Sequence, residues 1–254
     1  MKDNDKKKQI DVIVEARMTS SRLPGKTLFK AAGKPLLELM IERLRRIPEI
    51  DNVIVATTEN TKDDLIADLC KRCNVACFRG DEDDVLGRVV KAAKRFGTDI
   101  IVEITGDNPL VDPGISSQVI KEFLKNEKNI DYAANDVMVT FPIGFNTRAF
   151  SRALLEKVER STNDPVDREH VVNYICKRPD EFRMHNIAAK GPLRRTDIRL
   201  TMDTAEDYKV IKSVFEALYP SNHQFLAQDI IDYLDKNPDI KNINKEIVQR
   251  TYDY

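Results

Sequence analysis

Short apolar runs alternate with amphipathic segments through the first half of the chain. Runs rich in Val and Ile predict buried strands, and apolar residues at helical spacing predict helices. The strands are expected at residues 12–14, 53–57, 75–78 and 100–104. The helices are expected at residues 35–47, from Thr61 onward, at 83–96 and from Pro113 onward. This alternation predicts a Rossmann-like α/β fold, with a mostly parallel sheet sandwiched by helices.

After Asp131 the alternation is less regular. Strands are expected at residues 132–135, 137–140, 182–188 and 197–202, with 143–145 a further candidate. Helices are expected at residues 149–158, 168–177, 205–219 and 225–236. We therefore predict one domain at residues 11–254, in which residues 131–195 form a small inserted lobe. The polar, charged residues 1–10 are expected to be a disordered tail.

The chain has 254 residues, with Lys+Arg 41 against Asp+Glu 42 and a formal net charge of −1. This balance argues against a protein dedicated to binding nucleic acid. No apolar run approaches the roughly 18 residues of a membrane span, and the N-terminus lacks the apolar core of a signal peptide. Cys70-x-x-Cys73 could be a redox or zinc pair, but Cys70 lies beside Ile66 and Leu69 on the apolar side of a predicted helix. We expect buried, reduced thiols in a cytoplasmic protein with no membrane partner.

A basic loop follows the first predicted strand. Arg17, Arg22 and Lys26 lie in a stretch rich in Ser, Thr, Pro and Gly. A loop that leaves the carboxyl end of a buried strand lies where open α/β sheets bind ligands. Cationic side chains and free backbone N–H groups together suit a polyphosphate.

The sequence GKT at residues 25–27 also resembles the end of a P-loop. That motif needs Gly at position 20, where this chain has Ser20, and an α-helix that begins at the Lys-Thr pair. Here the helical pattern begins only at about Pro35. The P-loop is therefore an alternative, as is a surface loop that is basic by chance.

The same loop resembles the nucleotide-binding loop of the sugar cytidylyltransferases, the CMP-Kdo and CMP-sialic acid synthetases and especially the SpsF-like branch. The family pattern A-R-x-x-S-x-R-L-P-G-K is matched at Ala16, Arg17, Ser20, Arg22, Leu23, Pro24, Gly25 and Lys26. The resemblance extends from about Ile13 to Pro238. It implies that Ala16, Arg17, Ser20, Arg22, Lys26 and Thr105 bind the nucleotide.

Two aspartates are candidate metal ligands. Asp107 follows a buried strand in a turn that Gly106 makes possible, and a rigid carboxylate near a polyphosphate suits Mg²⁺. The segment around it resembles the G-D-x-P-L of CMP-Kdo synthetases, and residues 200–207 resemble the family's L-T-x-D-T-x-E-D. The resemblance assigns Asp107 and Asp203 to Mg²⁺; alternatively, Asp107 only stabilises its turn, and Asp203 or Thr204 caps a helix.

Further matches to the SpsF-like branch suggest residues that contact the acceptor. Residues 78–88 match F-R-G-x-x-x-D-V-L-G-R, so Arg79 and Arg88 are candidates, although their acidic segment would also cap a helix. His170 lies in a match to R-E-H-V and could equally be structural. Where that branch has G-x-D-x-E, this chain has Asn146 and Arg148. A cation there would suit an anionic acceptor.

The resemblance implies a Mg²⁺-dependent transfer of CMP from CTP to an acidic sugar or another anionic small molecule, with release of pyrophosphate. Arg17, Lys26 and Asp107 would be the catalytic residues. The resemblance also implies a role in glycan or polysaccharide precursor biosynthesis and a homodimer formed through the smaller lobe. The alternatives are transfer from GTP or UTP to a sugar phosphate, and a non-catalytic protein that binds a nucleotide sugar.

Overall fold

The computed structural model describes residues 7–249. In chain order the strands are β1 (Ile10–Glu15), β2 (Lys30–Ala31), β3 (Lys34–Pro35), β4 (Asn52–Thr58), β5 (Ala76–Gly80), β6 (Ile100–Thr105), β7 (Tyr132–Ala134), β8 (Arg148–Ser151) and β9 (Met184–Asn186). The helices are α1 (Leu36–Leu44), α2 (Asp64–Arg72), α3 (Val85–Phe96), α4 (Pro113–Asn126), α5 (Arg152–Ser161), α6 (Pro165–Glu169), α7 (Asn173–Cys176), α8 (Ala205–Leu218), α9 (Ala227–Lys236) and α10 (Pro238–Lys241).

Seven strands form one sheet in the order β5-β4-β1-β6-β8-β7-β9. Strand β1 is central and pairs in parallel with β4 and β6, so that Val12 lies opposite Val53 and Val102. Strand β8 is antiparallel to both of its neighbours, β6 and β7. The sequence prediction of a mostly parallel α/β sheet is confirmed.

Helices cover both faces of the sheet, because successive residues of a strand point to opposite sides. Val12 and Val14 pack with α1, α2 and α4 on one face. Ile13 packs with α3 and α5 on the other face. A further apolar cluster joins α8 and α9 to residues of α1, among them Leu36 and Leu39. The α8–α9 unit therefore docks onto the outer side of α1 and brings the preceding segment, which contains Asp203, back to the sheet.

Local capping explains most of the helix starts. Asp84 and Asp112 accept backbone N–H groups at the starts of α3 and α4, and Gly97 ends α3 with a φ of 75°. These three positions agree with the predicted boundaries. The helix expected from Thr61 onward begins only at Asp64. Asn60 accepts the Lys62 N–H, and a short 3₁₀ turn precedes α2.

The second half differs from the sequence prediction in four segments. Residues 137–140 form a turn, and β8 occupies the start of the helix predicted at 149–158. Ser151 then caps α5. The helix predicted at 168–177 is divided into α6 and α7, and the strand predicted at 197–202 is reduced to one bridge between Ile143 and Arg199. Pairing with β6 outweighs the local helical pattern at β8.

Residues 131–195, the predicted smaller lobe, extend the same sheet through β7, β8 and β9. At the other end of the chain, residues 1–6 of the predicted tail lie outside the described residues. Within the described part, the Gln9 N–H donates to Asp99 at 2.9 Å, and β1 begins at Ile10. The cysteines are free thiols, and Cys70 is buried. Across residues 7–249, no helix has the length and apolar character needed to cross a bilayer.

Candidate active site

A cleft of about 340 Å³ lies at the carboxyl edge of the sheet, above β1, β6 and β8. It is lined by residues from the basic loop, from the turn after β6, and from the segments before β8 and α8. Of the candidates predicted from sequence, the lining includes Ala16, Arg17, Ser20, Arg22, Lys26, Arg88, Thr105, Asp107, Asn146, Arg148, His170 and Asp203. Segments far apart in sequence therefore meet at the edge where the topology predicts a ligand.

The basic loop is held by a buried carboxylate. Asp63 is fully buried and accepts the Met18 N–H at 2.7 Å and the Thr57 hydroxyl at 3.0 Å. The loop closes on itself where the Gly25 N–H donates to the Met18 carbonyl at 2.8 Å. Gly25 has a φ of 74°, which favours glycine. These contacts fix the direction in which the loop presents its cations.

Lys26 lies between the two predicted metal ligands. Its Nζ donates to Asp203 at 3.0 Å and to the Met202 carbonyl at 2.6 Å, and it lies 3.5 Å from Asp107. Lys26 begins a 3₁₀ turn that ends at Leu28, and no α-helix starts at this position. The P-loop alternative is therefore wrong, because its phosphate site requires a helix N-terminus there.

The loop arginines are more exposed to solvent than Lys26. Arg22 is exposed and lies 2.7 Å from Asp203. Arg17 makes two long contacts, 3.3 Å to the Glu82 carbonyl and 3.4 Å to the Glu169 carboxylate. Both guanidinium groups can exchange these partners for phosphate oxygens at little cost.

Asp203 is buried and surrounded by cations. Arg199 donates to its second carboxylate oxygen at 3.0 Å, while Lys26 and Arg22 face the first oxygen. Burial alone would raise the pKa of Asp203, but the three cations outweigh it and hold the pKa below its ordinary value. Thr204, and not Asp203, caps α8 in a capping box with Asp207. Asp203 is thus ionised and free of a capping role.

Asp107 is positioned by the turn after β6. Its carboxylate accepts the Thr105 hydroxyl at 2.6 Å, and its backbone carbonyl accepts the Met202 N–H at 2.8 Å. The second contact joins the turn directly to the segment that carries Asp203. Gly106 allows the turn to lie close to the end of β1, because a Cβ at this position would lie 2.5 Å from the Glu15 carbonyl oxygen.

The pair Asp107 and Asp203 fits a magnesium ion by its chemistry. Both contribute carboxylate oxygens, both face the cleft, and they already enclose one cation, the Lys26 ammonium group. Mg²⁺ takes one or two carboxylates from a protein and its other ligands from water and phosphates. Among the described residues no group of three or more His, Cys, Asp or Glu side chains forms a metal site. A metal here would therefore depend on the nucleotide for part of its coordination.

Comparison with known proteins agrees with this geometry. A family model described as cytidylyltransferase matches residues 12–244. The chain belongs to the cytidylyltransferase family. The spore coat polysaccharide biosynthesis protein SpsF of Bacillus subtilis is 32% identical over 232 residues, which cover 89% of this chain and 94% of SpsF. The resemblance to the SpsF-like branch is confirmed.

Two further relatives match this chain over almost its whole length. An uncharacterized protein of Methanocaldococcus jannaschii is 37% identical over 243 residues, 94% of this chain and 96% of that protein. The solved structure of a cytidylyltransferase from Leptospira borgpetersenii has a TM-score of 0.88 and 34% identity, and covers 97% of this chain and 100% of that chain. The fold and the family are therefore shown together.

Two residues that were predicted to contact the acceptor form hydrogen bonds with other side chains of the protein. Arg148 donates from Nη1 to both oxygens of Glu103 at 3.0 Å, and from Nε and Nη2 to Asp136 at 2.9 and 2.7 Å. Asn146 donates to the same Asp136 oxygen at 2.8 Å. The expectation that Arg148 offers an unpaired positive charge to an anionic acceptor is therefore corrected: two carboxylates already neutralise it.

Of the other three residues that were predicted to contact the acceptor, two line the cleft and one does not. Arg79 does not line the cleft. It donates to the carbonyls of Thr58 and Asn60 at 2.8 and 2.9 Å, and these contacts stabilise the end of β4. Arg88 does line the cleft, but it is buried and donates to the Glu82 carbonyl at 3.2 Å. His170 is half-buried at the cleft, and burial lowers its pKa.

Two cleft carboxylates were missed by the sequence interpretation. Glu15 ends β1 and Glu103 lies within β6, both on the face of the sheet that carries Ile13. Burial and the neighbouring Glu103 raise the pKa of Glu15 well above its ordinary value. Burial also raises the pKa of Glu103, although Arg148 opposes it. A charged residue inside an apolar strand was the signal that could have revealed them.

Proposed function

We propose that the protein is a Mg²⁺-dependent enzyme that transfers CMP from CTP to an oxygen atom of a small sugar-type acceptor and releases pyrophosphate. The position of Lys26 is the observation that carries this proposal. Its Nζ lies 3.0 Å from Asp203 and 3.5 Å from Asp107, in the lining of the cleft. A cation enclosed by carboxylates from two separate loops marks a place where a phosphate chain and its metal ion would meet the protein.

The loop cations would bind the β- and γ-phosphates of CTP. In the proposed complex Lys26, Arg22 and Arg17 exchange their carboxylate partners for phosphate oxygens. The long contacts of Arg17 and the exposure of Arg22 make that exchange inexpensive. Mg²⁺, held by Asp107 and Asp203, would neutralise phosphate charge when bound.

The proposed reaction is an in-line displacement at the α-phosphorus. The acceptor oxygen forms a bond to that phosphorus, and the bond to the oxygen that bridges the α- and β-phosphates breaks. Pyrophosphate leaves with the electron pair, and where the attacking group is a hydroxyl its proton passes to solvent. Lys26 and Arg17 would stabilise the charge that develops on pyrophosphate. Catalysis would consist mainly of positioning and charge neutralisation.

The chemical class of the acceptor is supported by the family. SpsF is named for the biosynthesis of a spore coat polysaccharide, so a sugar or sugar-like acceptor and a role in glycan precursor synthesis are proposed here. Any negative charge on the acceptor would lie away from Arg148, because Glu103 and Asp136 already neutralise that side chain. The preference for CTP is proposed from family membership.

The decisive experiment measures pyrophosphate release with Mg²⁺ and each nucleoside triphosphate in turn. The acceptors are a panel of 2-keto sugar acids, sugar phosphates and phosphonates. We expect acceptor-dependent pyrophosphate with CTP, and its loss in Asp107→Ala and Lys26→Met by about 100-fold or more. Asp180→Ala, an exposed aspartate between α7 and β9, is the matched control and should keep wild-type activity.

Other outcomes would change the proposal in defined ways. Pyrophosphate released only with GTP or UTP would keep the mechanism and reject CTP as the donor. Orthophosphate in place of pyrophosphate would reject nucleotidyl transfer. Tight CTP binding without release from any acceptor would favour the non-catalytic alternative.

A further inference from the structure

The buried part of the cleft contains two polar atoms that make no hydrogen bond within the described protein. They are Oε1 of Glu15 and Nε of Arg88. We call Glu15, Arg88, Glu103 and Arg148 the cleft floor; all four line the cleft, and Arg88 and Glu103 are only 1% and 2% exposed. A buried polar atom without a partner costs free energy, so such atoms point to a group that is bound during function.

The charges around the cleft floor disfavour an anionic group. Glu15 and Glu103 contribute carboxyl groups, and Asp136 binds the far side of Arg148. The basic groups nearby are the guanidinium groups of Arg148 and Arg88. All three side-chain nitrogens of Arg148 are already bonded to carboxylates. A carboxylate or phosphate entering here would meet acidic groups and no available strong cation other than the partly occupied Arg88.

A group that both donates and accepts could satisfy both unpaired atoms. A carboxyl oxygen of Glu15 needs a donor, and the N–H of Arg88 needs an acceptor. A hydroxyl group supplies both functions, whereas an ammonium group can only donate and a carboxylate can only accept. A hydroxyl also adds no charge to a buried site.

We propose that the acceptor places an uncharged hydroxyl group on the cleft floor, and that Glu15 is the residue that selects it. This proposal rests on the proposed function and makes it more specific: any negative charge of the acceptor lies away from the cleft floor, and the part of the acceptor that reaches the floor carries a hydroxyl group. The raised pKa of Glu15 is consistent with this, because a neutral carboxyl group pairs with a hydroxyl without an ionic partner.

The test compares acceptors that differ in one group. One series is glucose 1-phosphate, glucuronic acid 1-phosphate, 6-amino-6-deoxyglucose 1-phosphate and 6-deoxyglucose 1-phosphate. The other is glycerol 3-phosphate, 3-phosphoglycerate, 3-amino-2-hydroxypropyl phosphate and 2-hydroxypropyl phosphate. Pyrophosphate release with CTP and Mg²⁺ gives kcat/KM, and calorimetric titration in the presence of α,β-methylene-CTP gives binding without turnover. We expect the hydroxylated member of a series to be preferred about tenfold or more over the other three.

Variants at Glu15 distinguish a loss of hydroxyl recognition from a general loss of folding or activity. Glu15→Gln keeps a donor and an acceptor and should retain the preference. Glu15→Leu should lose the preference, chiefly because the hydroxylated probe binds more weakly and is used with a lower kcat/KM. Glu59→Leu, at an exposed position after β4, is the control for an added leucine and should behave as wild type. The comparison of probes on the wild-type protein stands even if Glu15→Leu does not fold.

Three results would overturn the inference. They are equal or better use of the carboxylate or ammonium probe, no binding of either hydroxylated probe, and an unchanged preference in folded Glu15→Leu. If pyrophosphate still forms from CTP with a carboxylate probe, the proposed function survives and only this inference fails. If CTP supports no pyrophosphate release with any acceptor, the proposed function itself fails.

Discussion

Among single residues, Arg148 holds two acidic side chains together beneath the cleft. Its guanidinium group binds Glu103, which is 2% exposed, and Asp136. Replacing Arg148 by Met would remove the charge and leave both carboxylates without it. Because one partner of a buried pair is lost, we expect Arg148→Met to lower the free energy of unfolding by about 3–5 kcal/mol. Urea unfolding followed by circular dichroism measures this change.

Arg183→Met is the matched control for Arg148→Met. Arg183 forms a similar two-oxygen pair with Asp131 at the opposite edge of the sheet, but its side chain is 56% exposed. Solvent weakens such a pair, so this variant should unfold close to the wild-type midpoint. Similar losses in the two variants would show that burial does not decide the strength of the Arg148 pairs.

His170 predicts a dependence of stability on pH. Burial lowers its pKa, while Glu169 acts in the opposite direction and Arg148, Arg17 and Lys177 add to the lowering. The unfolded chain, with a His pKa of about 6.5, therefore takes up this proton at a higher pH than the folded protein. Stability present above pH 6.5 is lost as the pH falls toward the folded pKa.

The test of the His170 prediction is the unfolding midpoint of wild type and His170→Asn between pH 5 and 8. We expect the wild-type midpoint to decline more steeply than that of the variant below about pH 6.5. Parallel curves throughout this range would show that His170 has the same pKa in both states.

The residues proposed to bind the nucleotide were easier to place in the cleft from sequence than the residues proposed to contact the acceptor. The loop cations lie within one contiguous motif, so local spacing was enough to identify Arg17, Arg22 and Lys26. The neutralisation of Arg148 depends on Glu103 and Asp136, which come from another strand and another turn. Such pairing follows from sheet register and cannot be read from local sequence.

At the scale of elements, the turn after β6 depends on a backbone contact that allows no side chain. The Gly106 N–H donates to the Glu15 carbonyl at 2.9 Å, and a Cβ at position 106 would lie 2.5 Å from that oxygen. Because Asp107 follows directly, Gly106→Ala should displace both the turn and the carboxylate. We expect a loss of about 1–3 kcal/mol of stability, together with reduced pyrophosphate release.

Gly33→Ala separates the effect of contact from the effect of backbone strain. Gly33 has a φ of 79°, but no atom lies within 4 Å of a Cβ built there. Its replacement should cost about 1 kcal/mol for the left-handed backbone and leave activity unchanged. Full activity and stability in Gly106→Ala would show that the turn can move without harm to the site.

The boundaries of helices and strands were predicted well where a capping side chain starts the helix. They were predicted poorly where pairing with a distant strand determines the secondary structure. The starts of α3 and α4 follow from Asp84 and Asp112, which accept N–H groups of their own helices. Residues 148–151 are a strand because Arg148 and Phe150 pair with β6 and β7. Local periodicity favoured a helix there, and only the tertiary pairing explains the strand.

At the scale of the molecule, the α/β class was predictable because strands and helices alternate regularly up to Asp131. The strand order was not, since β8 enters between β6 and β7 from a segment whose pattern is irregular. The insertion carries Arg148 to the cleft floor and leaves the preceding turn on the surface. In that turn Val137, Met138 and Val139 are 43%, 64% and 50% exposed.

This exposed apolar turn gives the homodimer expected from the family resemblance a specific test. Adjacent apolar side chains exposed to water are favourable contact points for a second copy of the chain. If residues 131–195 form the dimer interface, Met138→Asp should place a charge in it and raise the dimer dissociation constant at least tenfold, since burying an unpaired charge is costly. Sedimentation velocity across a concentration series measures this constant. Leu65→Asp, at an apolar position on α2 that is 57% exposed, is the control and should leave it unchanged. A monomeric wild-type protein, or a Met138→Asp dimer as stable as the wild type, would rule out an interface at this turn.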